Sequence, residues 1–343
     1  MTLYIGVDFH PYQQTVAWCD TETGETETKK LEHDLEKVRE FYRDLPSGIV
    51  GVEASSKAIW FENLLAETDH ELKVGNPVLI RKRATSRHKS DKRDAELILR
   101  LLLNEEFPEV WRRSKANNEV LDILKLRYSL VRQRTQTYNR LQALARSFGL
   151  PKGKIKSEYY RVLLRDIEFG EAENLQRGQL FKLMESLNSQ ILELETWLRK
   201  RAKMDEQVQL LETQKGVGYL TALALVNALG DISRFDRPTK QVPAYLGLEP
   251  LEQESAGKRK SGNISRAGSS ITRFLLGQSA HISTRYDEKL KAFYKRLSKK
   301  KPKGVAKTAT ARKLLVKLSI MLRDDITAEE FDRRGRTVND TRV

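Results

Sequence analysis

The chain has 343 residues, 62 Lys and Arg against 47 Asp and Glu, and a formal net charge of +15, long enough for two or three domains with a substantial core. So basic a surface attracts polyanions, nucleic acid foremost. No run approaches the roughly 18 apolar residues of a membrane span, and no signal-peptide pattern opens the chain, so a cytoplasmic protein without a membrane partner is expected.

Three strand-like pieces come first: LYIGVDFH (3–10), TVAWCD (15–20) and the polar alternating ETETKKLEH (25–33). Separated by turn-rich segments, they read as a meander. A helix over about 35–45 leads to GIVGVEAS (48–55), a β-branched run that reads as a buried strand. A second helix (57–68), the strand LKVGNP (72–77) and a helix from about 91 to 104 follow. A meander continued by βαβ units predicts a mixed α/β sheet covered by helices.

From about 116 the pattern turns to long helices. Leu124, Val131, Tyr138 and Ala145 recur every seventh residue, and Leu180, Leu183, Leu187, Ile191, Leu194 and Leu198 form a seam at spacings of three and four. Joined through the basic break LPKGKIKS (150–157), the two helices read as an antiparallel coiled-coil arm or as part of an ordinary bundle. Next, LLETQKGVGYLTALALVNALGD (210–231) places Gly216-Val217-Gly218 between two helices, in the manner of a helix-hairpin-helix. Glycine amides in such a turn can approach a phosphate closely. The stretch LEQESAGKRKSGNISRAG (251–268) reads as a polar, glycine-rich loop. From Lys289 to Lys317 there are twelve Lys and Arg and no acid, and Lys299, Lys300, Lys301 and Lys303 form its densest part. A solvated helix face mixes signs, so this run reads as a phosphate-contacting surface.

Chemistry concentrates at SRHKSDKRDAELI (86–98). Ser90 can cap the helix, and one aspartate behind it suits the helix dipole. Capping does not account for the pair Asp91 and Asp94 on one helix face, because like charges converging there need a cation between them. Asp8 ends the run GVD and Glu53 ends GIVGVE, both at strand ends, where ligands gather in such sheets. Cys19 is the only cysteine and the five histidines show no ligand spacing, so a bound metal would be held by carboxylates, which favours Mg²⁺ or Mn²⁺. Asp8, Glu53, Asp91 and Asp94 make the donor set for two ions about 4 Å apart acting on a phosphodiester. Arg87, Lys89, Lys92 and Arg93 would hold the nucleic-acid backbone against them.

The ordered set GVDFH, GVEAS, KSDKRDA, GVGYLTALAL, YLGLEP, ES and ISRAG resembles the IS-one-ten insertion-sequence transposases, DEDD recombinases related to the Piv-type DNA invertases, over nearly the whole chain. The resemblance implies a RuvC-like RNase H domain (1–112) whose D-E-D-D tetrad matches Asp8, Glu53, Asp91 and Asp94. It further implies a helical coiled-coil arm (113–205) and a mainly helical C-terminal transposase domain (206–343) with a nucleophilic serine. That serine falls on Ser255, with Ser261 and Ser265 as rivals in the same loop, and Lys258, Arg259, Lys260 and Arg266 would face the phosphate. Also implied are target and donor DNA, a structured bridge or seek RNA as guide, and a dimer that assembles into a tetramer on DNA. The competing readings are a RuvC-like nuclease or junction resolvase that uses water as nucleophile, and a non-catalytic DNA-binding protein.

Overall fold

The computed structural model describes residues 2–54, 59–84, 90–150, 153, 155, 157–255 and 258–340, with the side chains of 59, 252–255, 258–261 and 335–340 outside that description. The chain divides into two compact units, 1–112 and 113–343.

In the first unit, β1 (Leu3–Phe9), β2 (Gln13–Asp20) and β3 (Thr26–Glu32) form the expected meander, followed by α1 (Leu35–Asp44), β4 (Gly48–Glu53), α2 (Ile59–Leu65), β5 (Glu71–Gly75), α3 (Pro77–Lys82) and α4 (Asp91–Leu103). The five strands make one mixed sheet of order β3-β2-β1-β4-β5. β1 pairs antiparallel with β2 and parallel with β4, and β4 pairs parallel with β5. One sheet face is apolar in every strand: Ile5, Val7, Val16, Leu31, Val50, Val52 and Val74 pack with Val38 and Tyr42 of α1 and with Phe61, Leu64 and Leu65 of α2. The short helix α3 has no counterpart in the sequence reading, although Asn76 caps it through its side chain and Pro77 stands at its start, the usual signature of a helix beginning.

The opposite face is covered by α4. Two glycines let it lie close: a Cβ on Gly6 would fall 2.4 Å from the Ala95 carbonyl oxygen and 2.5 Å from the Leu99 nitrogen, and one on Gly51 would fall 2.7 Å from Leu102 Cδ1. At Gly6 the neighbours are helix backbone, so no rotamer change could admit a side chain there.

The second unit is mainly helical: α5 (Lys115–Ser147), α6 (Glu158–Asp166), α7 (Glu171–Met204), α8 (Glu206–Glu212), α9 (Tyr219–Leu229), α10 (Pro238–Tyr245), a hairpin of β6 (Pro250–Ser255) and β7 (Lys258–Ile264), then α11 (Ser270–Ser283), α12 (Glu288–Ser298), α13 (Lys303–Asp324) and α14 (Ala328–Asp340). α5 and α7 pack antiparallel, since Arg127 bonds Glu195 whereas Arg134, further along α5, bonds Asn188, earlier in α7. The roots of the pair (Leu121, Leu124, Leu198, Ala202) join a core built on α9, α11 and α13. The far ends (Tyr138, Leu141, Ala145, Leu180, Phe181, Met184) form a separate cluster with Tyr160 and Leu164 of α6. One position of the expected seam is wrong: Leu183 is 44% exposed and Met184 is buried in its stead. Both positions stand three or four residues from Leu180 and Leu187, so spacing alone does not choose between them; Met184 is the one that packs with Tyr138, Leu141 and Phe181.

The stretch read as a loop between 251 and 268 is mostly a hairpin, with Gln253 opposite Lys260 and Ser255 opposite Lys258. Its residues carry little apolar alternation, so the pattern that marks a half-buried strand is missing there. Among the described residues, no helix is long and apolar enough to cross a membrane.

Candidate active site

Side chains alternate along β1, so Gly6 and Asp8 share the face on which α4 lies. Asp91 lies about one turn of α4 back from Ala95, which covers Gly6, and Asp94 immediately precedes it. Ser90 caps this helix, its Oγ accepting from the Arg93 amide at 3.3 Å, and both aspartates stand in the first turn, where negative charge suits the exposed amides. The last β1–β4 pair is Val7 with Val52, so Asp8 and Glu53 occupy the next level on neighbouring strands.

Three of these acids meet at Asp8. Burial pushes its carboxyl above the usual range, and the charges of Asp94 and Asp91 push it further, while His10 opposes them. His10 Nε2 lies 3.1 Å from Asp8 Oδ2 and 3.4 Å from Asp91 Oδ1. Gln13 donates from Nε2 to Asp91 Oδ2 at 3.5 Å. Asp8, His10 and Asp91 each offer a ligand atom, all within 4.8 Å of one another. Glu53 and Asp94 are not members of that group: Asp94 acts on Asp8 through its charge, and Glu53 is related to it by strand register.

This donor chemistry fits a divalent cation. A half-buried carboxylate crowded by two others is disfavoured in its charged form, and a cation between them relieves that. His10 escapes a sequence reading that looks for paired histidines at helical spacing. The available signal is proximity in GVDFH: His10 stands two residues after Asp8, just past the end of β1, where the chain turns and its ring reaches back to the carboxylate.

The basic residues fall into three groups. Lys92 and Arg93 are exposed on the first turn of α4, and Lys92 lies 3.8 Å from Glu96; Arg87 and Lys89 lie outside the described residues. Ser255 ends β6, with Lys258, Arg259 and Lys260 opening β7 and Ser261 opposite Glu252. The hairpin base is braced: the Ser265 amide donates to the Glu249 carbonyl at 2.9 Å and the Arg266 amide to the Gly247 carbonyl at 3.2 Å. Arg266 is exposed and left-handed at φ 57°, and Gly247, also at positive φ, would carry a Cβ only 2.2 Å from the Ala267 nitrogen. Lys299, Lys300, Lys301 and Lys303 are all exposed where α12 passes to α13.

The basic run does not form one surface to its end. Lys317 is buried, with Nζ 2.9 Å from Asp332 and 3.5 Å from Asp287, the residue that caps α12. It stands on the core stripe of α13 beside Leu314 and Leu318, so its charge is matched inside the fold, where a lone ammonium would not be tolerated. The glycine turn between α8 and α9 also has a structural part. A Cβ on Gly216 would meet the Ser283 nitrogen and Oγ, each at 2.6 Å, whereas Gly218 has open space around it.

Residues 5–149 match a family profile described as "Transposase", and residues 208–295 match one described as "Transposase IS116/IS110/IS902 family". The first match spans Asp8, His10, Glu53, Asp91 and Asp94, and the second spans the hairpin with Ser255. A "Probable family 20 transposase" of Pseudomonas aeruginosa is 29% identical over 255 residues, 73% of this chain and 75% of that protein. The "Transposase for insertion sequence element IS1111A" of Coxiella burnetii is 30% identical over 222 residues, 61% of each chain. The "Transposase for insertion sequence element IS1328" of Yersinia enterocolitica is 26% identical over 266 residues, covering 77% of this chain and 79% of that one.

Proposed function

The chain belongs to the transposase IS116/IS110/IS902 family and is an enzyme of that class, and we propose that it cuts and rejoins the DNA of an insertion sequence through a phosphoserine intermediate. The observation that carries the reading is the convergence of Asp8, Asp91 and the charge of Asp94 where α4 meets the end of β1. The strand order β3-β2-β1-β4-β5 with its antiparallel meander is that expected of a RuvC-like RNase H fold.

Asp8, Glu53, Asp91 and Asp94 would hold Mg²⁺ or Mn²⁺, as two ions. When bound, such ions polarise a phosphoryl oxygen and neutralise charge developing on it. Ser255 is the nucleophile of the proposal. Its Oγ bonds to the scissile phosphorus as the bond from phosphorus to the departing sugar oxygen breaks, and the serine proton ends on that oxygen. Attack by an incoming DNA hydroxyl reverses the step and frees the serine, so strands are exchanged without an external energy source. Lys258, Arg259, Lys260 and Arg266 would face the phosphate. Arg87, Lys89, Lys92 and Arg93 would grip the backbone beside the acids.

Target and donor DNA are the substrates in this reading. A structured bridge or seek RNA supplies sequence specificity by pairing, so the protein itself needs few base-reading side chains. The antiparallel pair α5 and α7 serves as a coiled-coil arm between the two active segments, and the working form is a dimer that assembles into a tetramer on DNA.

Cleavage of labelled DNA by the full chain with its RNA is expected only when Mg²⁺ or Mn²⁺ is present, and EDTA is expected to stop it. Cleavage that persists in EDTA would contradict the role given to the acids. Replacing Lys299, Lys300, Lys301 and Lys303 together by alanine is expected to weaken binding across all DNA sequences. The plot of log binding constant against log salt should flatten by about 0.9 for each phosphate that is no longer neutralised. An unchanged slope would remove these lysines from the interface.

A further inference from the structure

The tetrad reading takes all its donors from carboxylates and leaves His10 without a part. Its surroundings differ from those of His70 and His33. His70 is buried with Nδ1 accepting from the Gly48 amide and Nε2 at 2.7 Å from the Tyr42 carbonyl, a fixed piece of the core. His33 packs on Phe9 and Trp60 with Nδ1 at 3.2 Å from the Pro11 carbonyl. His10 turns Nε2 instead toward oxygens of two carboxylates, Asp8 and Asp91, from a side chain that is 36% exposed. Its backbone amide donates to the Gln13 carbonyl at 2.9 Å, and Gln13 in turn holds Asp91, so both the imidazole and its acidic neighbour are anchored by the β1–β2 turn.

We propose that His10 is a third ligand of the cation held by Asp8 and Asp91, and that its nitrogen turns the site's preference from Mg²⁺ toward Mn²⁺. The proposal rests on the divalent-cation reading of this site. Magnesium takes oxygen ligands in a strict octahedron and keeps much of its water, whereas an imidazole nitrogen is a good donor to first-row transition ions. Two carboxylate oxygens and one nitrogen, all within 4.8 Å and open to solvent on one side, form an incomplete shell that substrate and water oxygens can fill. His10 follows the end of β1 with a side chain that is partly exposed, so its removal leaves the apolar core of the sheet untouched.

The test is a titration of the full chain with Mn²⁺, read by electron paramagnetic resonance of free and bound ion, with Mg²⁺ as competitor, on wild type, His10→Ala and Asp8→Asn. Wild type is expected to bind Mn²⁺ with a nitrogen hyperfine coupling. His10→Ala should lose that coupling and weaken Mn²⁺ by at least about tenfold, since even an outer contact to a ligand is worth that much, while Mg²⁺ competition changes far less. If His10→Ala alters both ions equally, or neither, while Asp8→Asn abolishes both, the cation site stands and the ligand role of His10 is overturned, leaving it a clamp between two acids. If wild type shows no binding that depends on Asp8, both the cation reading and the role of His10 fail.

Discussion

Asp8→Asn is expected to lower strand cleavage by about a thousandfold or more, roughly 4 kcal/mol of transition-state stabilisation, as loss of a central metal donor implies. The same change should raise the thermal stability of the metal-free protein at neutral pH. The Asp8 carboxyl is held above the usual aspartate range, by burial first and then by the charges of Asp94 and Asp91. The folded chain therefore binds this proton more tightly than the unfolded chain does. Stability contributed by the protonated group is full below the unfolded value and is lost as pH rises through the raised folded value. Asparagine cannot ionise, so the variant escapes that loss. Melting curves in EDTA at pH 7 should place Asp8→Asn above wild type, with a smaller gap toward acid pH; a variant that melts lower would show the carboxylate to be structural.

Ser255→Ala is expected to abolish the covalent protein–DNA species altogether while leaving DNA binding within about twofold of wild type, because only the nucleophile's oxygen is removed. Ser261→Ala and Ser265→Ala should retain the covalent species. This order follows from the motif match that falls on Ser255. Ser255 is the last residue of β6, paired with Lys258 across the hairpin, whereas the Ser265 amide is engaged at the hairpin base by Glu249. A covalent species that survives Ser255→Ala but disappears in Ser261→Ala would move the nucleophile to β7.

The first unit is legible in the sequence because its strands obey simple periodicities. GIVGVE is β-branched and LYIGVDF apolar, and each carries an acid where the strand leaves the core. The glycines are less legible. Gly6 and Gly51 look like weak points in strands, yet they are the seats on which α4 rests, and that seating carries Asp91 and Asp94 to Asp8. His10 is hidden from a search at helical intervals, because it follows Asp8 by two residues in the turn that leaves β1. The hairpin carrying Ser255 reads as a loop because its strands are polar and glycine-containing, and backbone pairing leaves no trace in hydrophobic alternation. Lys317 shows the opposite error. In a run of twelve cations it looks like its neighbours, and only its place on the buried stripe of α13, facing Asp287 and Asp332, distinguishes it. The exposed lysines between α12 and α13 keep the phosphate-facing reading that Lys317 loses.

The most direct measurement is incubation of the full chain with its element's RNA, labelled target and donor DNA and Mg²⁺, analysed on a denaturing gel with and without protease. A labelled band that is retarded only while protein remains attached, and that is missing in both Ser255→Ala and Asp8→Asn, is the expected result. Free cleaved ends that persist in Ser255→Ala would contradict it and make the enzyme a nuclease that uses water.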